Sequence, residues 1–265
     1  MASTFERNDA RGGKKGHPHK RFHRRPEAVA DDWIWGWHAV EAALDNPRRG
    51  PPLRLLATPD RARQIEARFG RPESLEVVDT GLIGHNLPPG AAHQGVALRA
   101  APLETVDLES FPVRPGAVLV MLDQVTDPQN VGAIFRSAAA FGAAGVVLQE
   151  RHAPRFTGAL AKAAAGALDR VPAARAVNLS RALEELAGLG WRTVGLTGAA
   201  EATLAEVLDG RPTVLVLGSE GEGLRRLVGE HCDALARIPM PGGFQSLNVS
   251  AAAAIALYEA ARPRA

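Results

Sequence analysis

The stretch from Pro212 to Ser250 constrains this chain more than any other. It opens with an unbroken apolar run, Thr213 to Leu217, which reads as a strand buried on both faces. The run stops at Gly218-Ser219-Glu220-Gly221-Glu222-Gly223, where three glycines in six positions allow a tight turn with bare backbone amides. Some twenty residues on, Arg237-Ile238-Pro239-Met240-Pro241-Gly242-Gly243 repeats the scheme of short strand and glycine loop. Ser246-Leu247-Asn248-Val249-Ser250 then leads into an alanine-rich helix. Two glycine loops and a polar helix entry this close together suit the rim of a small-molecule site. On glycine content alone, two ordinary strand-to-helix turns account for them equally well.

The preceding residues repeat the same grammar. Strands are expected at Ala117–Leu122, Gly145–Leu148 and Arg192–Leu196, with helices at Val131–Phe141, Thr157–Leu168 and Leu179–Leu189. Strands alternating with helices predict an α/β fold, a parallel sheet covered on both faces, with ligands beyond the carboxyl ends of its strands. A smaller α/β unit precedes it. It comprises a helix ending at Asn46-Pro47, strands at Leu53–Ala57, Leu75–Val78 and His93–Leu98, and a helix at Arg61–Phe69. Trp33, Trp35 and Trp37 alternate as on one strand face. The expected division is a tail over 1–30, a first unit over 31–100, a proline-bearing linker over 101–115 and the larger unit over 116–265.

Charge is unevenly spread. Residues 1–30 hold eight Lys/Arg against three acids, while the rest of the chain holds 23 against 26. Such a polar, basic segment is expected to be disordered and to touch nucleic acid, a solubilising tail being the alternative. Arg48, Arg49, Arg54, Arg61, Arg63, Arg68 and Arg71 suit a phosphate-facing surface, ordinary solvated charge being the alternative that the interspersed Asp60, Glu66 and Glu73 keep open. No apolar run is long enough to span a membrane, and the single cysteine, Cys232, excludes an internal disulfide and a cysteine-based metal cluster. The cytoplasm is the expected compartment. The chain has no G-x-x-x-x-G-K-[ST], and its first parallel strand is not followed by G-x-G-x-x-G, so nucleoside triphosphates and dinucleotides are poorly supported.

That strand leads instead into D-x-V-x-D-P-x-N-x-G-x-x-x-R-x-A, from Asp123 to Ala138. Asn130 is placed for a helix N-cap, and Arg136 lies nearly two turns later on a mostly apolar helix, either snorkelling or aimed at an anion. With G-x-E-x-x-G at Gly218–Gly223 and I-P-M-x-G…S-L-N-V-S-x-A at Ile238–Ala251, these segments resemble the three motifs of the SpoU/TrmH branch of SPOUT methyltransferases. The match in order and spacing is far more specific than any one motif, and it covers the chain from about Trp33. Within that branch the sequence looks like the 23S rRNA guanosine 2′-O-methyltransferases. Gly36…His38-Ala39-Val40 and His93-Gln94-Gly95 match the ribosomal-protein-like substrate domain.

The resemblance implies a C-terminal α/β trefoil knot, a homodimer, an RNA substrate and S-adenosyl-L-methionine as cofactor, with no metal. It implies that Gly218, Ile238 and Leu247 contact the cofactor largely through backbone, and that Arg136 is the catalytic arginine. A guanidinium carries donors only and is a poor base in water, so stabilising a developing alkoxide is the favoured role. Asn130 and Glu220 are expected to hold Arg136 or the nucleotide, with Ser246 and Asn248 lining the same pocket; His93 is expected to be structural or interdomain. A tRNA substrate, or a non-catalytic RNA-binding protein with a relict pocket, are the alternatives. Retention of Arg136, Glu220, Ser246 and Asn248 together argues against the second.

Overall fold

The strands expected from apolar runs form two sheets, and the burial pattern explains why. The computed structural model describes residues 32–156, 158–243 and 246–262. The basic segment of residues 1–30 lies outside them. In the first unit the elements are β1 (Trp33–Trp35), α1 (Trp37–Asp45), β2 (Arg54–Ala57), α2 (Pro59–Phe69), β3 (Leu75–Val77), α3 (Thr80–His85) and β4 (Val96–Arg99). The sheet order is β1-β4-β2-β3, antiparallel except for β2 with β3. Trp33 and Trp35 share one face with Leu56 and Ala97, while Ile34 and Leu55 point to the other; Trp37 has already entered α1. Asn46 ends α1 in an extended conformation before Pro47, as the residue preceding proline favours.

The second unit contains β5 (Val118–Leu122), α4 (Pro128–Ala140), β6 (Gly145–Gln149), α5 (Gly158–Ala164), β7 (Ala173–Ala176), α6 (Leu179–Gly188), β8 (Arg192–Leu196), α7 (Leu204–Val207), β9 (Thr213–Leu217), α8 (Arg226–Glu230), β10 (Ala234–Ala236) and α9 (Val249–Ala261). Its six strands are all parallel in the order β10-β8-β9-β5-β6-β7. Alternate residues of β5 and β9 feed two cores. Val120, Leu122, Leu215 and Leu217 pack toward α4, α5 and α9, while Leu119, Met121, Val214 and Val216 pack toward α6. A strand buried on both faces has no polar alternation to show, hence the continuous apolar runs.

Four expectations need correction. Residues 101–115 are not a free linker: Leu103, Leu108 and Phe111 are buried, and the Val106 amide donates to the Ala173 carbonyl (2.8 Å). The helix expected over Thr157–Leu168 stops at Ala164, where Ala165 and Gly166 both take positive φ, and a 3₁₀ turn follows at Ala167–Asp169. The last strand is Ala234–Ala236, ahead of the Arg237–Ile238 segment that suggested it. The arginines of the first unit do not form one open basic face, because Arg54, Arg63, Arg68 and Arg71 each pair with a carboxylate. Arg49 is buried: its guanidinium grips Asp169, which also accepts from Asn46 Nδ2 (3.0 Å), joining the 3₁₀ turn Pro47–Arg49 to the second unit. No helix among the described residues is long and apolar enough to cross a membrane.

Candidate active site

The chain doubles back between β6, β7 on one side of β5 and β8, β9 on the other. In an open parallel sheet, such a reversal leaves a crevice beyond the strands' carboxyl ends. Here β9 runs directly into the glycine loop. Gly218 has no room for a side chain, since a Cβ there would collide with the backbone of Gly223 and Leu224 folding over it. Ser219 and Gly223 exchange backbone hydrogen bonds (3.2 and 3.0 Å) to close the loop. Its far end is fixed to β5. Asp123 is fully buried and accepts from the amide (2.9 Å) and Nε (2.7 Å) of Arg225. A buried carboxylate held by charge-assisted bonds is a strong anchor. Sequence reasoning gave Asp123 no role, although its place directly after an apolar strand was the available signal.

Beyond these strand ends lies a cavity of about 370 Å³, the size range of small-molecule sites. Gly218 and Glu220 form one wall, Ile238 and Met240 another, and Ser246, Leu247, Val249 and Ala252 the third. The expected cofactor contacts Gly218, Ile238 and Leu247, with Ser246, therefore face one space. Leu247 is unusually exposed for its type, presenting apolar surface that a bound adenosyl group would cover, and Gly218 lines the same space with main-chain atoms. These residues suit a nucleoside whose base face packs on apolar side chains while its polar edges meet main-chain groups. Leu196 at the end of β8 also lines the cavity, with Thr197-Gly198-Ala199 after it; sequence reasoning missed these last three, and a glycine shortly after a strand was the clue.

At the same crevice, three polar side chains from distant segments meet. Glu220 Oε1 accepts from Asn130 Nδ2 (3.1 Å), from Asn248 Nδ2 and from the Val249 amide (3.4 Å). Asn248 Nδ2 also donates to Asn130 Oδ1 (2.9 Å), while its own Oδ1 caps α9 by accepting from the Ser250 amide (2.9 Å). The helix cap of α4 is Asp127, not Asn130, because Asp127 accepts from the amides of Gln129 and Asn130. That frees Asn130 to cross to Glu220.

Arg136 is not drawn into the trio. It is exposed on α4 and makes no hydrogen bond or ion pair among the described residues. Six residues of helix separate it from Asn130 by about 120° around the axis and about 9 Å along it. The expectation that Asn130 and Glu220 hold Arg136 directly thus finds no contact here. His93 accepts the Gly95 amide at Nδ1 (3.1 Å), shaping the turn into β4, and does not line the cavity.

A parallel sheet with a glycine-cradled cavity at its reversal point, beside a carboxylate–amide cluster, is a frame for a small-molecule or cofactor site. The chain belongs to the SpoU rRNA Methylase family, whose pattern matches residues 117–258. It is 40% identical over 252 residues to the 23S rRNA (guanosine-2'-O-)-methyltransferase RlmB of Xylella fastidiosa, covering 88% of this chain and 97% of that protein. An uncharacterized tRNA/rRNA methyltransferase of Synechocystis is 41% identical over 245 residues, and one of Mycolicibacterium smegmatis is 46% identical over 181. These alignments take in 88% and 65% of this chain but only 63% and 56% of those relatives, less than two thirds of their length. Among solved structures, the SpoU methyltransferase AviRb of Streptomyces viridochromogenes in complex with AdoMet is 27% identical, with a TM-score of 0.73 over 88% of this chain and 90% of that one.

Proposed function

We propose that this protein methylates a ribose 2′-hydroxyl in RNA with S-adenosyl-L-methionine as donor, and that its substrate is a guanosine of 23S rRNA. The observation that carries this reading is the meeting of Asn130, Glu220 and Asn248 at the lip of the glycine-cradled cavity. Gly218, Ile238 and Leu247 would hold the adenosyl group, mainly by backbone and apolar contact. Bound there, the cofactor supplies an electrophilic methyl group on a sulfonium.

The chain's own task is to present and activate the hydroxyl. Glu220 already accepts three donors at one oxygen, so its job is to fix Asn130 and Asn248. Those amides, with Ser246, then orient the nucleotide. Arg136, exposed and unengaged among the described residues, has its donors available for the oxygen as negative charge develops on it. It acts as a stabiliser and not as the base.

The finer architecture belongs to the same reading. Residues 246–248 pass beside the loop of β9 before α9 packs on α4, which supports a C-terminal trefoil knot. The four-stranded sheet supports a ribosomal-protein-like substrate domain over 31–100, joined by 101–115 to a methyltransferase domain over 116–265. Exposed Ile255 and Tyr258 on α9 suit a homodimer, and a ribosomal RNA substrate suits the cytoplasm. Isothermal titration with S-adenosylmethionine and its demethylated product tests the cofactor site. Saturable binding of both is expected, and a folded protein that binds neither contradicts the reading.

A further inference from the structure

His93-Gln94-Gly95 lines no part of the cavity, yet Gln94 sits at a junction of the two units. Its φ of +56° lies in the left-handed region, uncommon for a residue with a side chain. In that conformation Gln94 Oε1 accepts from the Trp37 amide (3.0 Å) and from Lys162 Nζ (3.0 Å), while its carbonyl accepts from Arg61 Nε (3.0 Å). The Arg61 guanidinium lies over the Trp37 ring, 4.6 Å from its centroid. One strained residue thereby gathers a cation from α2 and a cation from α5. Lys162 reaches it only because Gly36, at φ +88°, leaves empty the space its ammonium fills.

Both cations of this corner lack a counter-ion among the described residues. Lys162 is the only lysine after Lys20 in an arginine-rich chain. Arg54, Arg63, Arg68, Arg71 and Arg99 all pair with carboxylates, whereas Arg61 and Lys162 have no ion-pair partner among the described residues. Partial burial pulls the Lys162 ammonium below its usual range, the expected cost of holding a cation without a counter-ion. The Nε2 of Gln94 also has no acceptor among the described residues, which adds a third donor at one corner.

We propose that this corner of Arg61, Gln94 and Lys162 is a phosphodiester-binding subsite that seats the backbone of the RNA substrate, an inference resting on the methyltransferase reading. A phosphodiester offers two acceptor-only oxygens, matching one guanidinium and one ammonium that share Gln94 as acceptor, Arg61 also donating from Nη1 to Gln64 Oε1 (2.6 Å). The position serves the reaction. Ala163, next to Lys162, packs where Gly132 of α4 leaves room, and Arg136 lies one turn further along that helix. RNA backbone fixed at Lys162 therefore lies along the helix pair that carries Arg136.

The test is binding of unmodified, in-vitro transcribed 23S rRNA across a salt series, by wild type and by the double variant Arg61→Gln/Lys162→Gln. Each lost phosphate contact lowers the slope of log affinity against log salt by about 0.7 to 0.9, so the double variant should lose about 1.5. S-adenosylmethionine affinity should not change, because neither residue lines that cavity. If the double variant does not fold, Arg61→Gln alone should lose about half as much slope, and Arg61→Lys should restore it. RNA binding with an unchanged slope in the folded variants overturns the subsite and leaves the functional reading standing. Absence of RNA binding by the wild type overturns both.

Discussion

At the scale of single residues, Arg136 carries the proposed chemistry and little of the fold. It is exposed and bonds to nothing among the described residues, so removing it should barely change the unfolding temperature or S-adenosylmethionine affinity. Single-turnover methylation should instead slow by about 3 kcal/mol of barrier in Arg136→Ala, the scale of losing one oxyanion donor. Arg136→Lys keeps charge but not the planar fork, so partial recovery is expected. Full turnover in a folded alanine variant would remove Arg136 from the mechanism. Residue spacing in the sequence placed Arg136 and Asn130 on one helix, but it did not show their azimuths. Once Asp127 takes the cap, Asn130 sits in the first turn and faces Glu220 and Asn248, 90 and 118 residues away in sequence. Contacts at that separation leave no local signature, which is why the trio had to be inferred from resemblance.

At the scale of elements, legibility follows how each piece is stabilised. Strands Val118–Leu122 and Thr213–Leu217 stand where their apolar runs put them, because a central parallel strand needs apolar residues on both faces. Ala173–Ala176 escaped notice: Ala-Ala-Arg-Ala has no β-branched or aromatic residue, and the strand is held by its pairing with β6 and by the Val106 amide on its other side. The short α8 segment offers a test of packing at this scale. Cys232 follows it, tucked against Gly195 of β8, with Sγ donating to the Val228 carbonyl (3.3 Å). Burial first, then the nearby Asp233 and Asp123 carboxylates, pushes its thiol up to about 12. Since the thiolate is the nucleophile, iodoacetamide at pH 8 should leave Cys232 unlabelled in the folded protein and label it after unfolding in denaturant. Fast labelling under native conditions would mean that α8 does not stay seated on β8.

At the scale of the whole molecule, the two units are held together by a buried ion pair as well as apolar contact. Arg49 and Asp169 have almost no exposed side-chain surface, and Arg49 Nη1 also donates to the Ala101 carbonyl (3.1 Å). Asp169→Ala strands the Arg49 charge in the interior and should cost about 3–5 kcal/mol of stability, read by chemical denaturation. Replacing both partners with apolar residues should cost far less, since desolvation offsets much of what such a pair contributes. A loss no larger for the single variant than for the double would show that the pair is not buried in solution. If the proposed phosphodiester subsite holds, the junction also sets where RNA approaches, because the cations of α2 and α5 both bond Gln94 there. The central claim is the proposed reaction, and the most direct measurement is of its product. Purified protein would be incubated with S-adenosylmethionine carrying an isotopically labelled methyl group and with unmodified 23S rRNA, then the RNA digested to nucleosides for mass spectrometry. Label in 2′-O-methylguanosine is the expected result; label in a base-methylated nucleoside, or none in the RNA of a cofactor-binding protein, would contradict the proposed reaction.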